Sequence, residues 1–301
     1  MILDPIPGRP VRLPQEPLPA GACDSHTHIF GPFDRFPLVH PPAFPAPLAP
    51  VAAHQAYWAQ SGLDRALLVQ PAHYGFDHSA LVDALAACPN TRGVALADGS
   101  TSPSVLEALA GAGVVALRFS DFPAPGGGVR PGSVSLSHLQ ALAPVMRELG
   151  LHAQIWAPAE TIVERLPDLR AVGIPVVLDH MGMPDPAKGV ADAAFQQLLQ
   201  AAADGTVWVK LSVCRVSQQG PDYDDAAPFH RALVAAAPDR MLWASDWPFI
   251  RMDNGGPDVG LLLDRFTAWL DGDSGLRQRI LVDNPEALFG FDRAKKANKL
   301  A

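Results

Sequence analysis

Residues 23–32 read CDSHTHIFGP, and the two histidines closing this apolar segment decide how the rest of the chain is read. In a β-strand side chains i and i+2 share a face, so His26 and His28 point together while Thr27 points away. The strand is assigned to 21–28. Seven further short apolar segments follow at 65–70 (RALLVQ), 92–97 (RGVALA), 114–119 (VVALRF), 151–156 (LHAQIW), 174–179 (IPVVLD), 206–212 (TVWVKLS) and 240–245 (RMLWAS). Between them lie Ala/Leu-rich stretches with apolar residues at helical spacing, such as SALVDALAACP and LSHLQALAPVMRELG, several followed by Gly or Pro. Strand and helix alternating eight times predict a (β/α)8 TIM-like barrel, read as one domain over 1–301.

Composition agrees with a large buried core. The chain has 301 residues, 48% hydrophobic and 18% charged, with mean hydropathy +0.09. A net charge of −8 and no basic stripe exclude nucleic acid as the expected partner, because phosphate binding needs clustered cations. No apolar run reaches membrane length and the start lacks a signal-peptide pattern, which predicts no membrane partner and a cytoplasmic protein. Cys23, Cys88 and Cys214 are odd in number and widely spaced, so they are expected to be free thiols. A monomer and a homo-oligomer both stay open.

Two segments break the rhythm. Residues 1–19 are Pro-rich and are expected to form an arm on the barrel. Residues 36–50 (FPLVHPPAFPAPLAP) follow the first strand and carry too many prolines for a helix, so an irregular excursion is expected. It leaves the barrel at the C-terminal ends of the strands, where active sites of this architecture sit, and could form a lid or pocket wall as well as a plain surface loop.

The same geometry singles out the polar residues at strand ends. His26 and His28 end the first strand, Arg118 the fourth, His180 the sixth (LDHMG) and Asp246 the eighth (SDWP), with Arg215 just beyond the seventh. Arg118 follows four apolar strand residues, a costly place for a cation without an anionic partner, and that partner could be Asp246 or a substrate carboxylate. Asp179 precedes His180 and by alternation should point away from the site, as a structural residue. His73 and Tyr74 follow the second strand and could line a pocket, whereas His40, His54, His138, His152 and His230 read as surface or capping groups.

The segments DSHTHIFGP, LLVQPAHYGFDHSALVDAL, VVLDHMGMPD, LWASDWPF and ILVDNPEALFGF together resemble the amidohydrolase superfamily, and within it the 2-pyrone-4,6-dicarboxylate lactonase group. The resemblance spans nearly the whole chain and implies a distorted barrel that hydrolyses lactones of sugar acids or aromatic-breakdown intermediates. It implies Asp246 as the base that activates water, His28 and His180 as donors to the carbonyl oxygen, and His26 as orienting or sharing that task. It further implies Arg118 and Arg215 as carboxylate ligands. Where the group has a second arginine and a tyrosine, this chain has Ala124 and Trp156, and Arg251 stands where a smaller polar residue is expected. The substrate-binding set is therefore Arg118, Arg215, Trp156, Tyr74 and Arg251, around a small anionic lactone such as a dicarboxylate, a muconolactone or an aldarolactone.

Binuclear members of the superfamily take a lysine or glutamate from the fourth strand and a histidine from the fifth. Arg118, Gln154 and Trp156 stand there instead, so a two-metal site is not expected. His26, His28, His180 and Asp246 would suffice for one zinc ion, yet the nearby Arg118 charge and the metal-free resemblance lead to the expectation that no metal is required. Two other readings use the same residues: a zinc-dependent decarboxylase, and a carboxylate-binding barrel without turnover.

Overall fold

Ten strands form among the residues that the computed structural model describes, namely 2–5, 11–40, 42, 44–124, 127–252 and 256–291. They are β1 (Ile2–Pro5), β2 (Cys23–Thr27), β3 (Ala46–Leu48), β4 (Arg65–Val69), β5 (Thr91–Ala95), β6 (Val114–Ser120), β7 (His152–Trp156), β8 (Val176–Leu178), β9 (Trp208–Leu211) and β10 (Met241–Trp243). Eight of them, from β2 to β10 without β3, make one parallel sheet in sequence order, and each matches a segment expected from its apolar run. Helices lie between most successive strands, as parallel crossovers require. The sheet curls into a nearly closed (β/α)8 barrel.

Closure relies on residues just past β10. Thr27 bridges Trp247, the His28 amide donates to the Trp247 carbonyl at 2.9 Å, and the Asp246 amide donates to the His26 carbonyl at 3.0 Å. Asp24, fully buried, fastens the same seam. Its carboxylate accepts from the Ser245 amide at 2.9 Å and the Tyr57 hydroxyl at 2.8 Å, and it also binds the Ser245 hydroxyl. Burial pushes this carboxyl up to about 6, against the pull of those hydrogen bonds.

Apolar residues fill the barrel beneath the site. Cys23, Leu67, Val69, Val94, Ala116, Val177 and Leu242 pack with Phe289 and Phe291 from the closing ALFGF segment. Arg65 and Arg92, on the first two residues of β4 and β5, lie over the Phe291 ring at 5.1 and 4.9 Å, which places this plug at the N-terminal mouth. Asn284, just before this segment, donates to the carbonyls of Pro238 and Met241, both at 2.8 Å, holding the start of β10.

The Pro-rich stretches are more ordered than expected. Within 36–50, Ala46–Leu48 forms β3 and pairs in parallel with β1, drawn from the N-terminal arm. Arg12 of that arm pairs with Asp264 at 2.7 Å. Positions 1 and 6–10 of the arm, 41 and 43 of the loop, and 292–301 of the expected domain lie outside the described residues.

Three histidines expected as surface or capping groups are buried instead: His54, His152 and His230. His54 lies behind β2, its Nε2 2.9 Å from Thr27 Oγ1 and its ring against Trp58 and Trp247. His152 stacks on Phe289 inside the barrel, and His230 sits edge-on to Phe266 and Trp269. A local polar residue gives no sign of such burial, because the apolar surface that covers it comes from other segments. Cys23, Cys88 and Cys214 are free thiols.

Candidate active site

The paired histidines do converge. A register shift in the β2–β4 pairing falls between Asp24 and Thr27, and His26 and His28 both face inward, with Nε2 atoms 3.3 Å apart. Thr27 faces outward and donates to the Leu67 carbonyl. Asp246 meets the pair from the other side of the seam: its Oδ1 is 3.3 Å from His28 Nε2 and 3.5 Å from His26 Nε2. His180 packs against His26 with ring centroids 4.9 Å apart. Both His180 (φ 50°) and Asp246 (φ 65°) adopt the left-handed backbone region, a strained conformation for residues with a Cβ that often marks functional sites.

Asp179, expected to point away from the site, points into it. Val177 faces the barrel interior, and strand parity brings Asp179 to the same side. His180 also reaches the site because the backbone turns left-handed and leaves the strand after Leu178, so alternation no longer applies between neighbours. Arg118, inward on β6, takes Asp179 as its partner and not Asp246, with Nε 2.9 Å from Oδ2. Asp246 is paired instead with the Arg215 guanidinium, which also donates to the Ile250 carbonyl at 2.7 Å.

Beneath this layer lies Lys210, a residue not foreseen from the sequence although WVKLS places a lysine at an inward position of β9. The side chain is fully buried, with Nζ 3.0 Å from Asp179 Oδ1, 3.0 Å from His26 Nδ1 and 2.6 Å from Gln154 Oε1. Like Arg118 it is a cation within an apolar strand, and that signal could have found it. Burial alone would raise the Asp179 carboxyl, but Lys210, His26 and Arg118 hold it well below the usual carboxylate range. Burial lowers Lys210, and the Asp179 charge opposes that.

Burial and then the Lys210 charge hold His26 well below its ordinary value, against the pull of Asp179. Its Nδ1 lies 3.0 Å from Lys210 Nζ and 3.2 Å from Asp179 Oδ1; when Nδ1 accepts from Lys210, the neutral ring carries its proton on Nε2, facing His28 and Asp246. His28 Nδ1 lies 2.7 Å from the Val69 carbonyl, which can only accept, so a neutral His28 presents a bare Nε2. Burial pushes His180 down to about 4 despite Asp246 and Asp179, and its Nδ1 is buried without a hydrogen-bond partner. For Asp246, burial alone would raise the carboxyl; Arg215, His28, His180 and His26 outweigh it and hold the group well below its ordinary value.

Above the cluster opens a pocket of about 280 Å³. His28, His180, Asp246, Arg118, Arg215, Trp156 and Arg251 all line it, together with Phe44 from the Pro-rich loop, His73, Arg130 and Ala124. The loop 36–50 thus supplies pocket wall through Phe44. His26 lies just below the lining. Tyr74 does not take part: its side chain is buried and its hydroxyl accepts from the Gly31 amide at 2.8 Å, because the 3-10 turn Ala72–Tyr74 sends adjacent side chains in different directions. Arg130 was absent from the expected set, lying in a Gly/Pro-rich loop with no strand to give it a direction.

Two groups of donors could hold a metal ion by type and separation: His26, His28 and Asp246, and His26, Asp179 and His180. Lys210 already sits on His26 Nδ1 and Asp179 Oδ1 of the second group, whereas His26 Nε2, His28 Nε2 and Asp246 Oδ1 of the first meet with Arg215 on the other carboxylate oxygen.

Comparison with known proteins agrees with this fold. Residues 23–291 match the amidohydrolase family model. The chain is 35% identical over 293 residues to a 2-pyrone-4,6-dicarboxylate hydrolase of Comamonas testosteroni, covering 92% of each chain. It is 33% identical over 282 residues to a 4-sulfomuconolactone hydrolase of Rhizobium radiobacter, covering 91% of each. An apo crystal structure of an Agrobacterium tumefaciens protein superposes with a TM-score of 0.78 at 28% identity, over 92% of this chain and 98% of that one. With its eight-stranded barrel and inward histidine pair, this chain belongs to the amidohydrolase family.

Proposed function

We propose that the protein is a lactonase that opens the ring of a small anionic lactone with an enzyme-activated water. The observation that carries this reading is the meeting of Asp246, His28 and His180 at the floor of an arginine-lined pocket. Relatives that hydrolyse a pyrone dicarboxylate and a sulfomuconolactone support it; both substrates are anionic lactones.

The residues divide the work by their proton positions. Asp246 and the bare Nε2 of His28, 3.3 Å apart, form a coupled pair that takes the proton of water. His26 Nε2–H donates towards that pair and holds it in place. His180 faces the pocket as donor to the carbonyl oxygen as it gains negative charge, and the free N–H groups of Arg118 remain for a substrate carboxylate. Hydroxide adds to the carbonyl carbon, the ring C–O bond breaks, and the departing oxygen recovers a proton from the pair. His28 thereby serves as acceptor and returning acid, a part different from the donor role expected from the resemblance.

A metal is not required in this reading. Histidines aside, the ionisable groups among the described residues that line the pocket or join it through ion pairs are five cations, Arg118, Arg130, Lys210, Arg215 and Arg251, and two carboxylates, Asp179 and Asp246. That excess favours an entering anion and opposes a divalent cation. A metal held by His26, His28 and Asp246 would polarise the carbonyl or the water, the task that His180 performs in the metal-free reaction.

The test is a panel of pyrone-dicarboxylate, muconolactone, sulfomuconolactone, aldarolactone and neutral lactones, followed by acid release with and without chelator. Hydrolysis of anionic members, unchanged by chelator in enzyme holding well under one equivalent of zinc, supports the reading. A ring shift without acid release makes the enzyme an isomerase. Stoichiometric zinc needed for turnover, with carbon dioxide as product, makes it a decarboxylase.

A further inference from the structure

Two of the five cations have no acidic partner among the described residues: Arg130 and Arg251. They enter the pocket from separate loops and rest on different aromatic rings. The Arg130 guanidinium lies 5.3 Å from the Trp156 ring centre and that of Arg251 lies 5.9 Å from Phe44. Arg118 lies over the same indole at 5.2 Å. Arg251 is exposed and Arg130 half-buried, whereas Asp246 and His180 are buried, so the pair occupies the outer wall above the reacting groups.

The loop that carries Arg130 is held in place. The Ser120 amide donates to the Val134 carbonyl at 2.7 Å, and the Ser133 amide to the Arg130 carbonyl at 3.0 Å. Gly132, at φ +76°, sits so near the chain that a Cβ there would collide with the Ala72 carbonyl oxygen. Only glycine allows that approach, and it seats Arg130 against the turn that carries His73.

The donors gathered here are unspent. Arg130 Nε and Trp156 Nε1 are both buried without a hydrogen-bond partner among the described residues, a costly state unless a ligand completes it. Burial, and then the positive charge of Arg251, push the Arg130 guanidinium below its ordinary value. An anion between the two arginines relieves both the repulsion and the missing hydrogen bonds.

We propose that Arg130 and Arg251, with the indole N–H of Trp156, form an outer clamp for a second carboxylate or sulfonate, which makes the substrate a lactone bearing at least two anionic groups in addition to the reacting ester. The inference rests on the lactonase reading and assigns it a substrate class. The inner anion meets Arg118. The outer one meets the clamp in place of the second arginine of the related group, whose position Ala124 takes in this chain, itself on the pocket wall.

Binding tests the clamp without requiring turnover. Titration calorimetry is performed with two inert ring acids, pyridine-2,4-dicarboxylate and pyridine-2-carboxylate, on wild type, Arg130→Met, Arg251→Met and Arg130→Lys. Wild type is expected to favour the dicarboxylate by about tenfold or more, the scale of one charged hydrogen-bonded contact. Each Met variant should bind the two acids within about threefold of each other, and Arg130→Lys should keep part of the preference. No preference in wild type, or a full preference retained by both Met variants, overturns the clamp. Neither arginine makes an ion pair among the described residues, so folding is not at stake; melting temperatures equal to wild type check this. A clamp that binds as expected in a protein that opens no lactone would leave this inference standing and remove the lactonase reading.

Discussion

Lys210 Nζ lies 3.0 Å from Asp179 Oδ1, and neither side chain exposes any surface. The pair sits directly beneath the paired histidines and links β9 to the end of β8, while Lys210 also reaches His26 and Gln154. An ion pair in this position contributes less through attraction than through what its loss leaves behind. Removing one member strands a buried charge.

Lys210→Met is therefore expected to destabilise the fold by about 3–5 kcal/mol, the cost of taking from Asp179 its buried cation and leaving it Arg118 and His26. The double variant Lys210→Met/Asp179→Leu, which removes both charges, should recover much of that loss. Denaturant melts of the three proteins check this; a double variant less stable than the single one by the full cost of the second substitution would show that the two residues do not act together.

Asp246→Asn should reduce kcat by about 100-fold or more, because the amide keeps the shape but cannot accept water's proton. Pyridine-2-carboxylate should still bind. A variant with more than about a tenth of wild-type kcat removes Asp246 as base. Arg215 loses its partner in this protein, so the melting temperature must be measured beside the rate.

His230 offers a pH test of stability away from the site. It is buried against Phe266 and Trp269, both ring nitrogens lack partners, and burial, followed by the Arg231 charge, lowers it to about 3. An unfolded histidine titrates near 6.5, so between about 6.5 and 3 the unfolded chain binds more protons and His230 makes the fold less stable as pH falls. His230→Leu should gain on wild type through that window, by up to about 1.4 kcal/mol per pH unit. Urea melts at pH 7 and pH 5 measure it. A stability difference that does not change between the two pH values means the histidine is protonated, or free to open, in the native protein.

Tyr74→Phe should leave KM unchanged and lower stability by about 1–3 kcal/mol, the cost of a buried amide, that of Gly31, without its acceptor. A raised KM at unchanged stability would return Tyr74 to the substrate-binding set.

The eight strands and the meeting of His26 with His28 were determined by the sequence, because both follow from periodicity within a single segment. Apolar runs of strand length alternating with helical spacing leave few architectures, and a separation of two places side chains on one face wherever the strand lies. The identity of each charge partner was decided only by tertiary structure. Asp179 faces inward by strand parity with Val177, and His180 joins it because the backbone turns left-handed at His180, where parity ceases to hold. Arg118 therefore meets Asp179, and Asp246 is left to Arg215. Lys210 acquires its meaning from three other strands at once, through Asp179, His26 and Gln154. Such contacts depend on register between strands far apart in the chain, and no local pattern of residues carries that register.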